Sequence, residues 1–166
     1  VQAFVELNDR LCEALGRLCG WLTLLMLLCA MTVVLLRYGL ALGSIALQES
    51  VLYLHGSAFA LGAAFTLKRD GHVRVDIFYR EMSPRRQAGV NVIALALFVL
   101  PSVGLIAYLS WDYVLASWGG MEGSAEAGGL PLVYLQKSLL LLLCLTLGLQ
   151  GVAELLRNLM CLGEGP

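Results

Sequence analysis

Few side chains in this sequence can do acid–base, redox or metal chemistry, and Glu49 is the most informative of them. It stands at the edge of a run, residues 50–67, that contains no Asp, Glu, Lys or Arg. A carboxylate approaching hydrocarbon costs on the order of 1–3 kcal/mol, so something must compensate it. Three partners are within reach of the sequence: the positive N-terminus of its own helix, Tyr53 one turn further on, and Arg37 at the end of the preceding apolar run. The same carboxylate could exchange protons for a cation in a small self-contained antiporter, although that chemistry wants an acid deep in a span. The two histidines, His55 and His72, lie in different segments, so neither a haem held between facing histidines nor a zinc site is supported. His55, inside the apolar run, is expected to hydrogen-bond a neighbouring helix. The five cysteines, Cys12, Cys19, Cys29, Cys144 and Cys161, form no Cys-x-x-Cys pair and read as small buried hydrophobes. No nucleophile–base pair is present. No catalytic residue, cofactor ligand or metal ligand is assigned, and the chain is not expected to be an enzyme.

The elements that carry these residues are apolar. Hydrophobic residues make up 59% of the 166 and charged residues 14%, with a mean hydropathy of +0.80, a composition that prefers lipid to water. The net charge of -1 and the scatter of the basic residues give no face for nucleic acid. Stretches without Asp, Glu, Lys or Arg occupy 18–36, 50–67, 87–111 and 138–153. A bilayer is crossed by roughly 20 apolar residues at 1.5 Å rise each. The expectation is one all-α membrane domain, 1–166, with transmembrane helices near 18–37, 48–68, 87–111 and 135–157, outer loops 38–47 and 112–134, and an inner loop 69–86. Trp21, Tyr38, Trp111, Tyr113, Trp118 and Tyr134 flank the runs as interfacial aromatics do. The acidic and basic start of the chain does not read as a cleaved leader, so the first run is expected to be a permanent anchor.

Lys68, Arg69, Arg74, Arg80, Arg85 and Arg86 lie between the second and third runs, with Arg10, Arg17 and Arg157 at the chain ends; only Arg37 and Lys137 lie on the other side. The positive-inside rule then places both termini in the cytoplasm. Ahead of the first span, Phe4, Leu7, Leu11, Leu15 and Leu18 recur at helical spacing among charges. They predict an amphipathic helix on the inner surface, either a partner-docking arm or a lead-in to the span. Val75, Phe78, Tyr79 and Met82, closed by Ser83-Pro84, predict a second short interfacial helix. In the second run, Glu49, Tyr53, Gly56, Ala60, Ala63 and Ala64 share one stripe, with Ala58, Gly62 and Thr66 beside it, a small-residue face suited to close helix packing. Pro101 is expected to kink the third helix. The glycine-rich outer loop, with Glu122 and Glu126, reads as a flexible linker that could touch a partner. No span carries the central acids, histidines or broken repeats that bind a transported solute.

Gln48-Glu49, Leu61-Gly62-Ala63-Ala64 and the string Lys68-Arg69-Asp70-Gly71-His72-Val73-Arg74-Val75-Asp76 resemble the small permease subunit of tripartite ATP-independent periplasmic (TRAP) transporters, the DctQ-like family. Ser83-Pro84-Arg85-Arg86, Glu122-Gly123-Ser124, Gly128-Gly129-Leu130-Pro131, Lys137 and Leu149-Gln150-Gly151 are similar to its mannitol/chloroaromatic-type branch. Leu47 and Ser50 depart from the pattern, in which tryptophan and a second acid are frequent. The resemblance implies a multi-pass subunit of a bacterial or archaeal inner membrane. Its partners would be a large permease subunit, a periplasmic substrate-binding protein and membrane lipid. The complex would import an organic acid down an ion gradient. Sodium coupling and solute sites would belong to the large subunit, and this chain would be its scaffold, with no cofactor. Glu49, Tyr53, Gly56, His72, Arg74 and Asp76 are the candidate interface to that subunit or to lipid.

Overall fold

The computed structural model describes residues 2–72 and 77–163, and among these every regular element is helical. Helix α1 spans Gln2–Gly39, α2 Ile45–Lys68, α3 Pro84–Ala94, α4 Leu100–Gly119 and α5 Val133–Gly163; a π turn, Leu95–Val99, joins α3 to α4 without a break. Four continuous helices are long and apolar enough to cross a membrane, α3 and α4 together forming the third.

The N-terminal amphipathic segment is not a separate surface helix. No glycine or proline interrupts the chain between Gln2 and Leu15, so it runs straight into the first span as one helix of 38 residues. At 1.5 Å per residue that is about 57 Å, roughly twice the hydrocarbon thickness. Its phase also differs from expectation. Phe4, Leu7, Leu11 and Leu18 are exposed, while Val5, Asn8 and Cys12 face the protein. The second interfacial helix is not formed by the described part of its stripe: residues 77–82 are turn and bend, and α3 begins at Pro84 itself. Val75 lies outside the described residues.

Small residues set the packing of α1 on α2. The ring of Phe65 lies where a Cβ on Gly16 would stand, and a Cβ on Gly62 would meet Cys19 Sγ at 3.6 Å. Cys19 Sγ also donates to the Ala58 carbonyl at 3.4 Å. Ala60, Leu61 and Ala64 are buried, as the small-residue face requires.

The connections end their helices by identifiable motifs. After α2, Gly71 N–H donates to Thr66 O (2.9 Å) and Asp70 N–H to Leu67 O (3.1 Å), with Asp70 left-handed at φ 54°, a Schellman arrangement. Gly71 is demanded by close approach, since a Cβ there would stand 3.2 Å from Thr66 Cγ2. Helix α4 outruns the expected span because 112–118 contain no breaker and because Val114 and Ser117 are buried. It ends at Gly119 with the same pair of bonds, Met121 N–H to Trp118 O and Glu122 N–H to Ser117 O. The third span bends its register rather than breaking: Leu100 N–H reaches back to Leu95 O, a wide turn immediately ahead of Pro101, which has no N–H and whose ring crowds the preceding turn.

α5 is the hub. It packs against α1, α2, α3, the π turn and α4, and α1 packs on α2, but α1 and α2 do not pack against the third span. The result is an open array of helices, not a closed bundle.

Candidate functional site

Side chains with chemical capacity gather at the two ends of this array, and they are spent on the chain itself. At the end carrying the N-terminus, the C-terminus of α2 and the C-terminus of α5, Gln150 has 0% exposure. Its Oε1 accepts from Asn8 Nδ2 at 2.5 Å and from Cys12 Sγ at 3.1 Å. Its Nε2 donates to Glu154 Oε1 at 2.9 Å. Arg157 donates to the same Glu154 oxygen and, through Nη2, to both Asp9 oxygens at 3.0 and 2.9 Å. Lys68 Nζ bridges the Asp9 carbonyl (2.8 Å) and Glu13 (3.0 Å), and Arg69 reaches Glu13 at 2.8 Å. Asn91 Nδ2 donates to Asn158 Oδ1 at 3.2 Å, tying α3 to α5. A polar group in an apolar interior is costly unless bonded, and here each buried polar side chain of α1 meets one of α5. Gly151 permits the approach of the third span: a Cβ there would stand 3.0 Å from Leu100 Cδ2.

Beside this network, where α2 and the third span diverge across α5, lies a cleft of about 300 Å³ with His72 and Lys68 on its wall. His72 is exposed. Arg74 and Asp76, expected to act with it, lie outside the described residues.

At the opposite end, Glu49 lies one turn inside α2, whose N-cap is Ser44, with Ser44 Oγ accepting from Leu47 N–H at 3.3 Å. The carboxylate is therefore not the capping group, and it does not pair with Arg37. It accepts from the Ser124 hydroxyl and, at 2.6 Å, from the Leu130 N–H, so it straps the loop 120–132 onto α2. Gly129 must be glycine for this to happen, because a Cβ would stand 2.8 Å from Glu49 Oε1. A second acid secures the same loop: Glu122 accepts from Lys137 Nζ (2.5 Å) and Ser117 Oγ (2.6 Å). The Lys137 ammonium, then the Ser117 hydroxyl, hold the Glu122 carboxyl below its ordinary value. Lys137 also lies 4.1 Å from the Tyr113 ring centroid, a cation–π contact. The loop expected to be a flexible linker is thus tied at both flanks.

Tyr53 does not bond Glu49; its buried hydroxyl has no partner among the described residues. Gly56 lies under α5, where a Cβ would meet Leu139 Cδ1 at 3.3 Å. His55 is exposed and bonds no other described residue, because its position faces away from both α1 and α5, contrary to the interhelical bond expected of it. Of the cysteines, only Cys12 and Cys144 are buried, and Cys161 is exposed. Among the described residues no three His, Cys, Asp or Glu side chains converge as metal ligands.

Sequence reasoning missed Asp9, Glu13, Glu154 and Arg157 as a set, and Ser124 and Leu130 as partners of Glu49. One signal was available: Gln150 is an amide within the last apolar run, 138–153, and such groups seek partners on neighbouring helices.

Among the described residues the arrangement offers no gathered acids or histidines at mid-span, and its polar groups hold helices and loop together. No curated protein and no solved structure matches the chain. The family model described as "Tripartite ATP-independent periplasmic transporters, DctQ component" matches residues 26–161, from inside the first span to the end of α5. The chain belongs to the DctQ family: it is the small, multi-pass inner-membrane subunit of a TRAP transporter, a transport component and not an enzyme.

Proposed function

We propose that this subunit is a static scaffold for the large permease subunit of its transporter, which imports an organic acid delivered by a periplasmic binding protein. The observation that carries this reading is the division of its surface. Gln150, Arg157 and Glu49 at the two ends are bonded within the chain, whereas Phe98, Leu105, Tyr108, Leu109 and Trp111 of the third span are exposed beside an open array. On this reading both termini lie in the cytoplasm, which the six basic residues between the second and third spans support by the positive-inside rule. The ion gradient, with sodium the expected coupling ion, acts on the large subunit. His72, with Arg74 and Asp76, is assigned to contact that subunit or lipid head groups. Glu49 supports the contact by fixing the outer loop to α2, and Gly56 by letting α2 approach α5; Tyr53 is assigned to the contact with them. The motifs around Ser83-Pro84-Arg85-Arg86 and Gly128-Gly129-Leu130-Pro131 support the mannitol/chloroaromatic-type branch; the substrate class remains the carboxylates.

The test is co-expression with the large subunit, purification in mild detergent, and solute uptake into liposomes with the binding protein under a sodium gradient. A stable complex that transports only when this chain is present is expected. The competing antiporter reading requires the chain alone to exchange protons for a cation through Glu49, and that outcome would overturn the scaffold; the Ser124 and Leu130 bonds that occupy this carboxylate argue against it.

A further inference from the structure

The cleft between α2 and the third span has walls of two kinds. The described lining combines the apolar Leu67, Ala94, Leu95 and Val99 with the charged Lys68, Asp70, Glu154 and Arg157. Among those described residues the charge is balanced, two cations against two carboxylates, with His72 beside them. A purely anionic occupant such as free phosphate would meet as much repulsion as attraction, whereas a zwitterion carrying an ammonium and a phosphate matches both signs. Bonding capacity is left over for each. Glu154 engages its neighbours through Oε1 and its backbone carbonyl, so Oε2 has no partner among the described residues. Lys68 uses its ammonium on two oxygens and has a third N–H to give. Both side chains are largely enclosed, at 14% and 15% exposure, where a charge-assisted bond is worth more than at an open surface.

The topology supplies the apolar half of the occupant's path. α2 and the third span both pack on α5 but not on each other, so the groove between them continues along the hydrocarbon-facing side of α5. The π turn Leu95–Val99 lies on its wall, and such wide turns open helix surfaces at binding sites. A site with an ionic head region and an apolar side fits an amphiphile of one chemistry. We propose that this cleft is a phospholipid site selective for a primary-amine zwitterionic head group: the ammonium meets Glu154 Oε2, and the phosphate meets Lys68 and Arg157. On the orientation proposed above it would take that lipid from the cytoplasmic leaflet, and it gives the basic end a definite lipid partner.

Native mass spectrometry of the full chain in mild detergent, doped with equal phosphatidylethanolamine and phosphatidylglycerol, reads the selectivity directly. The ethanolamine lipid should be retained at least about tenfold over the glycerol lipid, the lower end of what one charge-assisted bond contributes. Glu154→Gln should bring the two to parity. Ala94→Leu, which fills the apolar wall without touching an ion pair, should lower retention of both while leaving the helical circular dichroism and melting unchanged, and so stands in if the Glu154 variant fails to fold. Equal retention by the wild-type chain, undiminished retention by Ala94→Leu, or displacement of the ethanolamine lipid by inorganic phosphate alone would overturn the proposal. Detergent binding is indifferent to topology. A reversed orientation, shown by labelling Cys161 from one side of intact vesicles, would sink the orientation and leave the selectivity standing.

Discussion

The two ends of this subunit solve the same problem with opposite means. At the basic end, residues from helices far apart in sequence bond to one another: Asp9 with Arg157, Asn8 with Gln150, Glu13 with Lys68. These contacts decide how the helices sit together. At the glycine-rich end, Glu49 and Glu122 bond mainly to a loop and its flanks, and α4 meets α5 there through single contacts, Trp118 with Ser138 and Lys137 with Tyr113. A membrane protein has no hydrophobic force to drive its helices together inside lipid. The basic end therefore supplies most of the helix-to-helix specificity, and the other end chiefly supplies loop order.

The largest effect should come from cutting the first kind of contact. Arg157→Met leaves Asp9 and Glu154 without their shared cation in a half-enclosed site. With the side chains of Arg157 and Asp9 38% and 30% exposed, the loss is about 2 kcal/mol, below the cost for a fully buried pair. It should appear as a lower midpoint in detergent–urea unfolding. Gln150→Leu should follow at about 1–2 kcal/mol, because it orphans the buried Asn8 amide. Its signature is faster hydrogen exchange in residues 2–15 with the outer loop unchanged. If exchange in the loop rises equally, the two ends are coupled and the comparison fails.

Changes at the loop should be smaller and local. Gly129→Ala forces a Cβ against Ser124 and the Glu49 carboxylate. It should speed proteolysis within residues 120–132 several-fold while the melting of the helices moves by less than about 1 kcal/mol. The smallest effect is a pH dependence. Glu122 is held below its ordinary value of 4.5 by Lys137 and Ser117. Its contribution is therefore complete above about pH 4.5 and fades as the pH falls below that value toward the folded one. Loop protection should weaken over that acid range in the wild-type chain, and Glu122→Gln should reduce the change without abolishing it, because Glu49 still ties the loop.

Helix number and class were legible because uninterrupted apolar runs near 20 residues leave few alternatives to a membrane span. The phase of α1 was not legible by the same route. In water, an apolar stripe such as Phe4, Leu7 and Leu11 turns inward. Here the stripe points outward and the mixed row Val5, Asn8 and Cys12 turns toward α5, because lipid is as apolar as leucine and the polar groups are the ones that need protein. Glu49 was recognisable as a carboxylate in need of a partner, but the partner lies 75 residues away at Ser124 and depends on where the loop folds back. Arg37 was nearer in sequence and stands apart in space. The end of α2 carried its own signal: Asp70-Gly71 lies within the string, Lys68 to Asp76, that resembles the family, and those two residues form the helix stop.

The open array has a consequence for how much lipid the subunit must order. α1, α2 and α5 pack on one another, and the third span joins them through α5 alone, so it keeps apolar faces that a two-by-two square would have closed. Alone in a bilayer the subunit must line those faces with lipid; any protein surface that covered them would release that lipid.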